Sequence, residues 1–299
     1  MTLVPFDDRD GMIWFDGALI PWRDAKLHVL SHGLHYASAV FEGERAYGGT
    51  VFCLRAHTER LQNSARLLGF SLPWTADEID AAVTAVLQAN ELADAYVRPI
   101  AWRGAEQLSV AGEATRIHLA IAAWPWPNLF GAERMKGVRL ALATWRRPSP
   151  ETAPTASKAA GLYMIGTLAK HEAMAAGFED ALMLDWRGQV AEATGANIFF
   201  VIDGALTTPT PEGFLDGITR RTVMSVARRR QIKVVERAIM PDELARASEA
   251  LLSGTAAEVT PVRQIGSYQF TPGRITETIA ADFSALVRLS PEEVARRAA

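Results

Sequence analysis

The stretches "MIWFDGALI" and "NIFFVIDGALTTP" lie in opposite halves of the chain. Each sets two short apolar runs around an Asp-Gly pair, Asp16-Gly17 and Asp203-Gly204. Aspartate and glycine tolerate the positive φ angles of a tight hairpin, so both halves are expected to build antiparallel strand pairs. Other runs rich in β-branched and aromatic residues read as strands: "TVFCL", "YVRPIAW", "RIHLAIAAW", "GVRLALATW", "DALMLD", "WRGQVAEA" with a turn at Gly188, and "IKVVERAI". Helices fall between them without strict alternation. One spans His57–Leu68, with Leu61, Ala65 and Leu68 on one face and Gly69 as its stop. A second opens at the capping box Thr75-x-x-Glu78. A third runs from about Leu162 to Ala176 and ends at Gly177. Two more begin in "GITRRTVMSVARRR" and at Pro241. Hairpin-linked strands with interspersed helices indicate an α+β fold rather than a doubly wound parallel sheet.

With 299 residues, 49% of them hydrophobic, the chain suits two domains better than one. The prolines, asparagine and glycine of "WPWPNLFGAER" mark a linker. The expected division is a domain over 1–123, a linker over 124–134 and a domain over 135–299. A net charge of −3 gives no basic excess for nucleic acid or an anionic membrane. The single cysteine, Cys53, allows no intrachain disulfide. The acidic start "MTLVPFDDRDG" is unlike a signal peptide, and no long apolar run suggests a membrane span, so a cytoplasmic location is expected.

Basic residues are mostly arginine; the only lysines are Lys26, Lys136, Lys158, Lys170 and Lys233. Lys158 lies in "TASKAAGLYMIG", among small residues that leave room beside its amine. It is either a solvated loop lysine or an amine in a confined site, where a lowered pKa lets it attack a carbonyl. In "FLDGITRRT", Gly217 precedes a helix whose first residues are Ile218 and Thr219. Their N–H groups form either an ordinary helix start or an anion site. "LLSGTAAE" repeats that logic at Gly254-Thr255. Glu192, in "QVAEATGANIFF", is an exposed strand-end carboxylate or the partner of a protonated ring nitrogen. His28, His32 and His35 share helical spacing, yet Gly33 interrupts them and no carboxylate or cysteine joins at ligand spacing, so no metal is expected.

Together "SHGLHYASAVFEGERAY", "HTERLQNSARLL", "YVRP", "TASKAAGLY", "AEATGANIF", "GITR" and "SGTAAEVTPV" occur in the order found in the fold-type-IV pyridoxal-phosphate (PLP) enzymes. The chain resembles most closely the branched-chain amino acid aminotransferases, from Ser31 to Val262. The resemblance implies a small α/β domain followed by a larger pseudo-barrel domain, as in D-amino acid aminotransferase. It implies transamination of L-leucine, L-isoleucine and L-valine with 2-oxoglutarate, by ping-pong exchange. Lys158 would hold PLP as a Schiff base and carry the proton of the reaction. Tyr163 would bond the ring oxygen and Glu192 the ring nitrogen. Arg60, Gly217, Ile218, Thr219 and Thr255 would cup the phosphate. Tyr36, Phe41, Tyr96, Arg98, Thr255 and Ala256 would line the substrate site, with Tyr36 supplied by a second subunit of a homodimer or higher homo-oligomer. Related alternatives are a D-amino acid or (R)-amine transaminase and a PLP lyase such as aminodeoxychorismate lyase. An alternative from another class is a binding protein or metal enzyme built on the histidines. Three positions depart from the family pattern: Glu44 where an apolar residue is usual, Leu162 where asparagine is common, and Asp216 where proline is frequent. Glu44 is expected to be a charge near the substrate pocket.

Overall fold

The computed structural model describes residues 4–126, 135–290 and 293. Residue contacts group the chain into two units, Met1–Pro127 with Ser157–Gly161, and Asn128–Ala156 with Leu162–Ala299. Each carries its own sheet.

The first unit contains β1 (Met12–Phe15), β2 (Ala18–Pro21), α1 (His32–Tyr36), β3 (Ala39–Phe41), β4 (Glu44–Tyr47), β5 (Thr50–Val51), α2 (Leu54–Leu67), α3 (Ala76–Ala89), β6 (Ala95–Arg103) and β7 (Ile117–Pro125). The strands form an antiparallel sheet in the order β2-β1-β7-β6-β4-β5, with β3 also on β6. The β1–β2 hairpin turns at Asp16 (φ 49°) and Gly17 (φ 108°), as the Asp-Gly pair predicts. Leu61 and Ala65 of α2 and Ile79, Val83 and Val86 of α3 pack with Val40, Ala46, Val97, Ala101 and Leu119 of the sheet. The capping box starts α3: Thr75 N–H donates to the Glu78 carboxylate (2.7 Å), and the Thr75 hydroxyl accepts from Glu78 N–H (3.3 Å).

The central strand β6 decides what faces the site. Its Val97 and Ala101 point into the core, so Tyr96, Arg98 and Ile100 share the opposite face. Pro99 is tolerated because it sits opposite the break between β3 and β4, where its carbonyl accepts Glu42 N–H (2.8 Å).

The second unit contains β8 (Val138–Arg147), α4 (Met164–Ala175), β9 (Asp180–Asp185), β10 (Val190–Ala193), β11 (Asn197–Ile202), β12 (Ala205–Thr208), α5 (Ile218–Arg229), β13 (Val234–Glu236), β14 (Ala247–Gly254), β15 (Glu258–Ile265), β16 (Tyr268–Gln269) and α6 (Arg274–Leu286). Its sheet runs β10-β9-β8-β15-β14-β11-β12-β13, and β10 also pairs with β11. That extra pairing closes β10, β9, β8, β15, β14 and β11 into a ring, the pseudo-barrel expected above. Leu140, Leu182, Ile198, Phe200, Leu252 and Val262 belong to one buried apolar cluster of these strands. Pairings of both senses occur: β8 is parallel to β9 and to β15.

Several elements differ from expectation. "TVFCL" is a strand only at Thr50–Val51; Cys53 takes φ 56°, and α2 begins at Leu54. Trp124 and Pro125, expected in the linker, finish β7, and residues 127–134 of that segment lie outside those described. Pro241 opens a 3-10 helix over Pro241–Arg246 instead of an α-helix, and α6 had no expectation at all. Gly33, expected to break helix, lies inside the short α1. A Cβ there would press on Trp102 Cβ at 2.9 Å, so close packing explains this glycine.

Candidate active site

Residues 157–161 leave the second half of the sequence and join the first unit. Phe41 N–H donates to the Lys158 carbonyl (3.2 Å), and Val40 pairs with Ala159 as an isolated antiparallel bridge. Helix α2 fixes the segment from the other side. Lys158 N–H donates to Ser64 Oγ (2.9 Å), and Ser157 Oγ donates to the Ser64 carbonyl (3.0 Å). The Lys158 backbone is therefore held at both its N–H and its carbonyl, and its half-buried side chain reaches Phe41, with Nζ 5.0 Å from the ring centroid. The same ring carries the Arg98 guanidinium, 4.6 Å from its centroid, and Arg98 donates to the Tyr96 hydroxyl at 3.1 Å. Gly43 makes this possible, because any Cβ there would collide with the Tyr96 hydroxyl. The buried Arg98 Nε has no hydrogen-bond partner, which leaves a donor for an incoming acceptor. Lys158, Phe41, Tyr96 and Arg98 are thus assembled around one aromatic ring. The rings of Trp124 and Trp126 lie 5.2 and 4.9 Å from Tyr96, and both buried indole N–H groups lack partners. Reading "WPWP" as linker hid these two.

Arg60, on α2, donates from Nε and an Nη to the two oxygens of Glu42 (2.7 and 2.8 Å). Tyr36 stands apart from this group, 45% exposed on α1 with its ring against His32.

In the second unit, the "AEATGAN" turn sets Glu192 opposite Asn197 across β10 and β11. Asn197 Nδ2 donates to Glu192 (3.2 Å) and to the Leu215 carbonyl (3.0 Å). Arg147 pairs with Glu192 at 3.4 Å and donates to the Leu162 carbonyl at 3.2 Å. Leu162 precedes Tyr163, the half-buried residue that caps α4. Sequence reasoning missed Arg147 and Asn197. Asn197 carried a signal, five places beyond Glu192 on the far arm of a hairpin; Arg147, at the end of β8, carried none. Gly217 caps α5 with no side-chain hydrogen bond, so the first-turn N–H groups, those of Ile218 and Thr219 among them, receive no side-chain cap. A Cβ at Gly217 would strike Asn197 Oδ1, so any larger residue there would have to displace the Asn197 side chain. Asp216 is accommodated by Arg220 and Arg221, at 2.9 and 2.8 Å. The β14–β15 turn presents half-buried Thr255 and exposed Ala256, next to the buried, unpartnered hydroxyl of Ser253. A buried carboxylate that can accept, beside an uncapped helix start and a small-residue turn whose N–H groups can donate, suits a phosphorylated, protonated aromatic ring.

Glu44 differs from expectation. The β4–β6 register sets Glu44 opposite Val97, on the core face, and Arg45 opposite Tyr96. Glu44 is fully buried, and neither of its oxygens has a hydrogen-bond partner. Burial, with Glu42 and Asp80 nearby, pushes its carboxyl well above the usual range, against the pull of Arg60. The raised folded-state pKa means that stability is fullest below the unfolded value near 4.5 and falls as pH rises above it. Glu44→Met is therefore expected to stabilise the chain by about 1–3 kcal/mol near neutral pH. The gain should grow from pH 5 to pH 8 in denaturant titrations; a pH-independent difference would contradict a buried neutral acid.

The three helix-spaced histidines engage separate partners. His28 Nδ1 accepts from Leu30 N–H (3.1 Å), whereas His32 and His35 bond the Ser109 and Val29 carbonyls (2.8 and 2.9 Å). Among the described residues no cluster of three or more His, Cys, Asp or Glu suits a metal, and no helix is long and apolar enough to cross a membrane.

Residues 39–265 match the family described as amino-transferase class IV. The branched-chain-amino-acid aminotransferase of Pseudomonas aeruginosa is 41% identical over 288 residues, 94% of this chain and 94% of that protein. The crystal structure of the branched-chain aminotransferase from Thermoproteus uzoniensis with norvaline matches at TM-score 0.91 and 39% identity, covering 96% of this chain and 98% of that one. The branched-chain amino acid aminotransferase from Thermobaculum terrenum, in its PLP-bound holo-form, matches at TM-score 0.87 and 30% identity, covering 96% and 97%. The chain belongs to the class IV aminotransferases, within the group of the branched-chain-amino-acid aminotransferases.

Proposed function

We propose that this chain binds pyridoxal 5'-phosphate and transfers the amino group of L-leucine, L-isoleucine or L-valine to 2-oxoglutarate, in two ping-pong half-reactions. The observation that carries the reading is the grouping of Lys158, Phe41, Tyr96 and Arg98. An amine, an apolar wall and a cation with an unpartnered Nε stand around one ring. Such a wall suits a branched aliphatic side chain, and the cation suits a γ-carboxylate. PLP supplies an aldehyde for amino groups and a ring that draws electrons from the substrate Cα. Lys158 anchors it and moves the Cα proton. Glu192 keeps a proton on the ring nitrogen, and Tyr163 bonds the ring oxygen. Arg60, the N–H groups after Gly217 at Ile218 and Thr219, and Thr255 hold the phosphate. The Thr255-Ala256 turn meets the substrate α-carboxylate. The working form is a homodimer or higher homo-oligomer in which Tyr36, exposed beside Leu34 and Val29, completes a neighbour's substrate wall.

The test is a pair of half-reactions of Arg98→Ala. If Arg98 binds the γ-carboxylate, kcat/KM for glutamate and 2-oxoglutarate should fall about ten- to hundredfold, with leucine changed much less. Equal losses for both would assign Arg98 to shaping the site. Turnover of D-amino acids in place of L-leucine, or pyruvate release without an amino acceptor, would replace the proposed reaction by one of its relatives.

A further inference from the structure

Glu42 and His57 have no part in the reading above, yet they are the two deeply buried ionisable groups that share a hydrogen-bond network with Arg60. Glu42 is fully enclosed and His57 is 3% exposed, whereas Arg60 is half-buried. Both carboxylate oxygens of Glu42 accept from Arg60, and Oε2 also accepts from His57 Nδ1–H at 2.7 Å. Arg60 and His57 lie three residues apart on α2, so they approach Glu42 from one helix face. Glu42 itself stands between β3 and β4, with its N–H on Pro99. Burial alone would raise its carboxyl, but the Arg60 guanidinium and the His57 N–H outweigh burial and keep it charged. Burial lowers His57 despite the pull of Glu42, so the imidazole serves as a neutral donor. A bidentate carboxylate fixes both the plane and the direction of a guanidinium.

We propose that Glu42, braced by His57, is the positioning residue that aims Arg60 at the cofactor phosphate. This rests on the reading of Arg60 as a phosphate ligand. An arginine on a flexible stem loses rotamer freedom when it grips an anion. One already clamped from behind gives up less on binding, so the clamp raises affinity for the phosphate and for nothing else on the cofactor.

The experiment compares PLP with pyridoxal, which lacks the phosphate, by equilibrium binding to apoenzyme followed through tryptophan fluorescence. Arg60→Ala should weaken PLP about ten- to hundredfold and leave pyridoxal nearly unchanged. Glu42→Gln should reproduce most of that selective loss, His57→Leu part of it, and His57→Asn, which keeps a donor near the Nδ1 position, should restore it. The double variant Glu42→Gln/Arg60→Ala should bind PLP no worse than Arg60→Ala alone. If Arg60→Ala is selective but Glu42→Gln and His57→Leu weaken both ligands equally, the clamp is purely structural and the proposal falls while the Arg60 reading stands. If Arg60→Ala is not selective, that reading fails and the proposal with it. Should Glu42→Gln not fold, the His57→Leu and His57→Asn pair decides the question.

Discussion

Lys158→Ala is expected to abolish transamination and the visible absorbance of the holoenzyme together. The lysine is proposed both to bind the cofactor covalently and to carry the proton, and a positioned acid–base group alone contributes about 10²–10⁴-fold. Its backbone contacts to Phe41 and Ser64 do not involve the amine, so the substitution should leave the fold intact. Borohydride reduction of wild type followed by peptide mapping should find the label on Lys158. A label on Lys26, Lys136, Lys170 or Lys233 would end the assignment.

Glu192→Gln should keep the cofactor but slow single-turnover deamination of leucine at least about tenfold. The change removes a charge-assisted contact worth about 1.5–3 kcal/mol in a dry site. Glutamine keeps an oxygen to accept from Asn197, so the hairpin geometry should survive. Arg147, 3.4 Å away and 7% exposed, loses its counter-charge, and a modest fall in thermal stability should accompany the kinetic loss. Unchanged single-turnover rates would show that Glu192 does not hold the ring proton.

Local chemistry was the legible part of this fold. Asp16-Gly17 and the Thr75 capping box each determine their own geometry through neighbours within four positions, and both form as expected. Tyr96 and Arg98 share one face of a strand because side-chain alternation is a local rule, and they meet at 3.1 Å. What sequence could not carry was register. Glu44 and Arg45 are adjacent, so a one-residue difference decides which enters the core and which joins Tyr96; only pairing with β6 settles it. Arg147 was invisible for a similar reason. Its partners Glu192 and Leu162 lie on strands and turns far along the chain, and no spacing links them. Trp124 and Trp126 were hidden by prolines that signal an irregular segment, although Pro125 is itself the last residue of β7.

The return of residues 157–161 to the first unit has a consequence for how such a protein can be made and can evolve. All seven strands β1–β7, with α2 and its Ser64, are translated before Lys158. The residues of the lysine's dock are therefore all in the chain before the lysine is added to it. Recombination that exchanged only the N-terminal unit would swap the dock and leave the amine behind with foreign partners. Dock and lysine have to be inherited as one block, although more than ninety positions separate them in sequence.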